Sequence, residues 1–220
     1  MTERPFIVID LDNTFVDYTT AFKECLTQMG YDGYADAPDP SDYSFACDDW
    51  FEDEDTFFPL HRRAVGLGLY LRERPYLHAP EALDDLHYGG FRIVLATSRY
   101  DDQEDTDRWL CGMGFEGGRL DDLAECNTDF ATIMRDRWTA QLGWCHMSDK
   151  TALGADVTVE DNPHTLDRLM DKKMRVLVKR HAYNLPQCER AERSGLGFAF
   201  DDWTQVPEMV ECLVGGIKNA

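Results

Sequence analysis

The run Pro5-Phe-Ile-Val-Ile-Asp10-Leu-Asp12-Asn-Thr14 sets a short, unbroken apolar segment against two carboxylates spaced by one residue. Unbroken rather than alternating apolarity marks a strand covered on both faces, as in a parallel sheet. Similar runs recur at 91–96, 156–159 and 174–178, and helix-like segments occupy 19–29, 105–112, 164–172 and 205–213. Strands alternating with helices predict an α/β chain with a doubly wound parallel sheet. Ligands of such sheets gather at the carboxyl ends of the strands, where Asp10 and Asp12 fall.

One stretch breaks the alternation. Residues 17–88 separate the first two strands and are too long for one crossover helix. They hold a Pro/Asp/Gly-rich part (31–44), an acidic aromatic part (48–58) and a helix-like part (59–74). The expected organisation is a core of 1–16 and 89–220 with a helical cap at 17–88.

The composition narrows the function. With 220 residues, 43% of them apolar, the chain is long enough to bury a core. Its 42 acidic and 22 basic residues give a net charge of −20, which repels the phosphates of a nucleic-acid polymer. The seven cysteines form no C-x-x-C pair, so neither a disulfide framework nor a zinc site is indicated. The chain begins without a signal-peptide pattern and has no run near the roughly 18 apolar residues of a membrane span. A reducing cytoplasm is the expected location.

A calcium loop starting at Asp10 would need an oxygen ligand at 14, Gly at 15 and Glu at 21, but Phe15 and Ala21 stand at the last two. The strand context instead favours catalysis, one carboxylate attacking phosphorus and the other handling the leaving-group proton. The second strand ends Val94-Leu-Ala-Thr97-Ser98-Arg99, where a hydroxyl suits a phosphoryl oxygen. Lys150 follows in Ser148-Asp-Lys-Thr151, a cation for the equatorial oxygens. A later strand ends in Glu160-Asp161, adjacent acids that repel unless a cation joins them, and a hard ion such as Mg²⁺ fits.

This ordered set, Asp10-Leu-Asp12-Asn-Thr14, Thr97, Lys150 and Glu160-Asp161, resembles the haloacid dehalogenase-like phosphatase superfamily. The resemblance implies a Rossmann-like core and a phospho-aspartyl intermediate, with Asp10 as nucleophile and Asp12 as general acid/base. It also implies Mg²⁺ held by Asp10, the backbone carbonyl of Asp12 and Asp161, with Thr97 and Lys150 orienting phosphate and nucleophile. Glu160 is a further candidate ligand. The segment 148–163, Thr97-Ser98 with Trp109 downstream, 75–83 and Phe200-Asp-Asp-Trp203 are similar to 5'(3')-deoxyribonucleotidases, which also carry a helical cap after the nucleophile loop. This chain departs from them in having Glu160 for an Asp and Ser148 for a basic residue. It also lacks a lysine before Trp109, a charge that Arg99 or Arg108 is expected to replace.

Substrate contacts are expected from Ser98, Arg99 and Tyr18, with Trp50 and Phe57 as aromatic platforms for a nucleobase. The expected partner is a small nucleotide or another phosphomonoester, with neither a nucleic-acid polymer nor a membrane, and with a homodimer allowed. Two other functions compete. Thr97-Ser98-Arg99 followed by Asp105-Thr106 is similar to nucleic-acid end-processing 3'-phosphatases, against which the cap and the negative charge argue. A non-catalytic phosphoryl-ligand binding module is the other, against which the retention of Asp10, Asp12, Lys150 and Asp161 argues.

Overall fold

A computed structural model of the chain describes residues 4–45, 50–99, 103–113, 115 and 142–215. Cys47, Asp48, Asp49 and Cys126 lie outside them. Among the described residues, six strands form one sheet: β1 (Phe6–Asp10), β2 (Arg92–Thr97), β3 (Leu142–His146), β4 (Val157–Glu160), β5 (Val176–Lys179) and β6 (Gly197–Phe200). Every pairing is parallel, in the order β3-β2-β1-β4-β5-β6. The sheet is the doubly wound Rossmann-like arrangement that the sequence predicts, and its strand order reverses between β1 and β4.

The unbroken apolarity of β1 has a direct cause. All five of its residues are buried, with Ile7 and Ile9 in one apolar cluster and Phe6 and Val8 in another. At its start the Phe6 amide donates to Asp156 Oδ2 at 2.8 Å and the Asp156 amide returns a bond to the Phe6 carbonyl at 2.8 Å, which sets the start of β4 beside β1. Gly197 opens β6 because a Cβ there would lie 1.8 Å from the Val176 carbonyl oxygen.

Helices α1 (Tyr18–Gln28), α2 (Glu54–Gly66) and α3 (Leu69–Arg72) lie between β1 and β2 and bury an apolar cluster of their own. Phe22, Leu26, Phe45, Trp50, Phe51 and Leu69 form its centre. This is the cap. Asp17 caps α1 by accepting from the Thr20 amide at 2.9 Å, and Asp53 caps α2 by accepting from Thr56 at 2.9 Å. The next helix, α4 (Ala79–Tyr88), lies within the stretch 17–88 yet packs on the sheet, its stripe of Ala79, Ala82, Leu83 and Leu86 joining Ile7, Ile9 and Leu95.

The chain enters and leaves the cap through two adjacent segments. Asp17 N donates to Arg74 O and Tyr76 N to Phe15 O, each at 2.9 Å, and Val16 bridges Pro75 in antiparallel fashion.

After β2 the described helices are α5 (Gln103–Gly112), α6 (Pro163–Asp171), α7 (Leu185–Ser194) and α8 (Val206–Gly215). None of the described helices is long and apolar enough to cross a membrane. Trp203, 1% exposed, packs edge-on against Phe15 and Phe200, and its indole N–H donates to the Thr14 carbonyl at 3.1 Å. Trp203→Ala should therefore cost about 3–5 kcal/mol by urea unfolding. A loss below about 1 kcal/mol, within the range of a surface change, would contradict this account of the packing.

Candidate active site

The turn after β1 is built to present carboxylates. The Leu11 carbonyl accepts from the amides of Thr14, Phe15 and Val16 at 3.0–3.2 Å, closing the chain tightly on itself. Asn13 sits at φ 54°, a left-handed conformation that asparagine tolerates better than most residues. Its Oδ1 accepts from the Thr19 amide and hydroxyl at 3.1 and 3.0 Å, and its carbonyl meets His181 Nε2 at 2.7 Å. Together with the Trp203 bond to Thr14, these contacts fix the loop from both sides.

Three carboxylates converge at the carboxyl edge between β1 and β4. Asp10, Glu160 and Asp161 are each at most 5% exposed, and one oxygen from each lies within 4.8 Å of the others. Lys150, 4% exposed, donates to Asp10 Oδ1 and to Glu160 Oε2, the latter at 2.7 Å. It is carried by a 3-10 turn, Lys150–Leu153, which Asp149 caps.

The two oxygens of Glu160 are both engaged. Oε1 accepts from the amides of Asp161 and Asn162 at 3.1 and 3.0 Å, while Oε2 takes the lysine. Glu160 thus serves first to hold Lys150. Asp161 accepts from Thr14 Oγ1 at 2.9 Å and from the Tyr183 hydroxyl at 2.6 Å, and its carbonyl accepts from Asn184 Nδ2 at 2.8 Å.

One lysine faces three buried acids, and the charge balance shows it. Burial, then the Glu160 charge, push the Asp10 carboxyl up to about 7 against the pull of Lys150. Burial and the Asp10 charge push Asp161 up to about 7, and burial also raises Glu160. A hard divalent cation answers this surplus of oxygen ligands and negative charge, so the residues fit a metal.

A pH dependence follows. A carboxyl raised from 3.8 to about 7 binds its proton more tightly in the folded state. Its contribution is fully present below about pH 4 and is lost as pH rises towards 7. Metal-free protein should therefore melt at a lower temperature at pH 8 than at pH 5, and Mg²⁺ should restore more stability at pH 8. Thermal melts with EDTA and with Mg²⁺ check this, and equal Mg²⁺ stabilisation at both values would refute it.

Beside these acids lies a cavity of about 740 Å³ between core and cap. Asp12, Asn13, Ser98 and Asp161 line its core side, and Tyr18, Phe45, Phe57, Phe58 and Tyr70 line its cap side. Phe57 stacks on His61 with ring centroids 5.5 Å apart, and the Tyr18 hydroxyl meets His61 Nδ1 at 2.9 Å. Tyr43 reaches from the cap to the core, where its hydroxyl accepts from Asn162 Nδ2 at 2.8 Å and its ring packs on Tyr183.

The expected substrate residues divide. Ser98, Tyr18 and Phe57 line the cavity. Trp50 does not: it is 6% exposed inside the cap cluster, its indole N–H donating to the Pro38 carbonyl at 2.8 Å. Acidic neighbours give it the look of a surface residue, but Phe22, Phe45 and Tyr34 cover its ring. Thr97 is 1% exposed and its hydroxyl accepts from the Arg99 amide at 3.3 Å.

Arg99 is turned inward. Its Nε donates to both oxygens of Asp12 at 3.1 Å, its Nη1 to Thr106 Oγ1 at 3.2 Å, and its Nη2 to Glu73 and to Asp12. Burial raises the Asp12 carboxyl, but Arg99 outweighs it and holds the group below its ordinary value. Burial pushes Glu73 well above its ordinary value against the pull of Arg99. Arg108 stays on the surface, paired with Glu104 and Asp105 at 3.2 Å. Glu73, Tyr183 and Asn184 are site residues that the sequence reading missed. The last two follow β5, and their position just past a parallel strand was an available signal.

No family model matches the chain, and no curated protein matches it in sequence. Solved structures do. A haloacid dehalogenase-like family hydrolase from Streptococcus pneumoniae is 12% identical with a TM-score of 0.53, over 94% of this chain and 98% of that one. A phosphonoacetaldehyde hydrolase-like protein from Oleispira antarctica is 10% identical with a TM-score of 0.56, over 99% of this chain and 95% of that one. Identities this low speak for architecture alone, and by its architecture the chain has the fold of the haloacid dehalogenase-like hydrolases.

Proposed function

We propose that the protein is a Mg²⁺-dependent phosphomonoester hydrolase that works through a phospho-aspartyl intermediate on Asp10. The observation that carries this reading is the contact of Lys150 with Asp10 at the end of β1, beside Glu160 and Asp161. An oxygen of Asp10 attacks phosphorus as the ester P–O bond breaks, and Asp12, ionised at rest beside Arg99, takes the proton of the phosphate monoanion and passes it to the leaving oxygen, releasing an alcohol. Water then attacks phosphorus and yields a proton to Asp12, the P–O bond to Asp10 breaks, and inorganic phosphate leaves. Asp10, Asp161 and the Asp12 carbonyl would hold Mg²⁺, which when bound neutralises charge on the phosphoryl oxygens.

For the substrate we favour a nucleoside monophosphate, as in a 5'(3')-deoxyribonucleotidase. Phe57, Phe58, Tyr18 and Tyr43 give the cavity aromatic walls suited to a planar group. Arg99 is the sole lysine or arginine among the described residues lining it, and its guanidinium is committed to Asp12 and Glu73. A leaving group without further negative charge suits such a cavity, and the flanking phosphates of a nucleic-acid end do not.

Phosphate release is the test, from 5'- and 3'-deoxynucleotides, ribonucleotides, sugar phosphates, phosphoglycolate and a 3'-phosphorylated oligonucleotide, with Mg²⁺ and with EDTA. Mg²⁺-dependent release is expected, fastest from nucleoside monophosphates. Release from the oligonucleotide alone would replace this reading with end processing, and no release from any ester would leave a binding module.

A further inference from the structure

Asp12 projects from a turn, its side chain 31% exposed at the edge of the cavity, where an unbraced carboxylate would sample several rotamers. A guanidinium presents its N–H groups in a rigid planar fork that matches a carboxylate, and Arg99 meets both oxygens of Asp12 with this fork. Arg99 is itself held from every side. Its amide donates to Thr97 on β2, its Nη1 donates to Thr106 on α5, and its guanidinium carbon lies 4.0 Å from the centre of the Tyr70 ring on α3. Its far edge meets Glu73, whose carboxylate is fully buried where the chain returns from the cap. Glu73 also lies against the Asp12 carboxyl, so Arg99 sits between two acids that it holds together.

We propose that Arg99, braced by Glu73, is a positioning residue that fixes the Asp12 carboxyl for proton transfer to and from the ester, and that it takes no part in binding phosphate. This rests on the acid/base role given to Asp12 above. Two esters separate this role from a general structural one. An alkyl phosphomonoester needs a proton on its leaving oxygen, whereas 2,4-dinitrophenyl phosphate releases a stable anion unaided. The variant to use is the double change Arg99→Met with Glu73→Leu, which removes the buried charge couple and leaves no buried carboxylate stranded.

With the alkyl ester, kcat should fall about 100-fold with KM within about twofold of the parent. With the dinitrophenyl ester, first-turnover release of dinitrophenolate should stay within about threefold of the parent, because that step asks nothing of Asp12. Arg99→Lys keeps a charge but not the fork and should remain at least about tenfold slow on the alkyl ester. Equal losses on both esters in the first turnover, or a raised KM with kcat intact, would overturn the inference. An unaltered protein that hydrolyses no ester would overturn the phosphatase reading itself, and that result precedes any variant. If the double variant does not fold, Glu73→Gln replaces it. A loss of about fivefold confined to the alkyl ester then supports the inference, and parity with the parent on both esters overturns it.

Discussion

Asp10→Asn should yield a folded protein whose phosphate release is reduced by about 10⁵-fold or more, on the scale seen when a covalent nucleophile is removed. The amide is nearly the same size and fits the same space at the end of β1, so the sheet pairing of Phe6–Asp10 should survive. Removing the charge also relieves the crowding of Asp10 with Glu160 and Asp161, which burial already makes costly. Metal-free Asp10→Asn should therefore melt no lower than the parent at pH 8, while its response to Mg²⁺ should shrink. Phosphate release and thermal melts, with and without Mg²⁺, read both effects. Retention of more than about 1% of the parent rate would sink the covalent mechanism, because a positioned amide has no route to a phosphoryl-enzyme.

Lys150→Met acts on the same cluster in the opposite sense. Among the described residues it removes the one cation paired with Asp10 and Glu160, and leaves both acids buried without a counter-charge, Glu160 keeping only its two backbone amides. Breaking a buried ion pair from one side costs about 3–5 kcal/mol, so metal-free protein should unfold at clearly lower urea concentration. Mg²⁺ should recover part of that loss, since it supplies charge to the same oxygens. Turnover should fall about 10²–10³-fold, the usual cost of deleting one preorganised donor from a site of developing negative charge. A metal-free Lys150→Met protein as stable as the parent would show that the three carboxylates are already neutralised by protonation.

Much of this centre was legible because parallel sheets collect their functional groups at strand ends. Asp10, Thr97 and Glu160-Asp161 each close an apolar run, and Lys150 stands in a short polar turn before the strand that Glu160 ends. The readings failed where a residue's surroundings come from distant chain. Glu73 stands in Arg72-Glu73-Arg74, which reads as a solvated charge cluster, and only the fold brings Arg99 to it across 26 residues of sequence. Trp50 sits among acids yet is covered by rings from α1 and the loop before it. Strands β3 and β6 were not anticipated for a related reason. Leu-Gly-Trp-Cys-His and Gly-Phe-Ala-Phe each contain a glycine that weakens the strand pattern, and the glycine of β6 is there because its neighbour on β5 lies too close for a side chain.

The paired segments through which the chain leaves and re-enters the sheet domain give the molecule a modular character. Phe15–Asp17 and Arg74–Tyr76 run side by side and are bonded to each other, so the chain between them joins the sheet domain through a two-stranded stem, with Tyr43 and Glu73 as side-chain contacts beside it. A turn of about two to five residues would close such a stem if the intervening stretch were deleted. Insertions, deletions and whole exchanges of this appendage can thus accumulate without disturbing the strand order beneath it. Selection can reshape what the molecule admits while the reacting groups on β1, β2 and β4 stay as they are, within the limit that Tyr70 and Glu73 beside the stem keep their hold on Arg99.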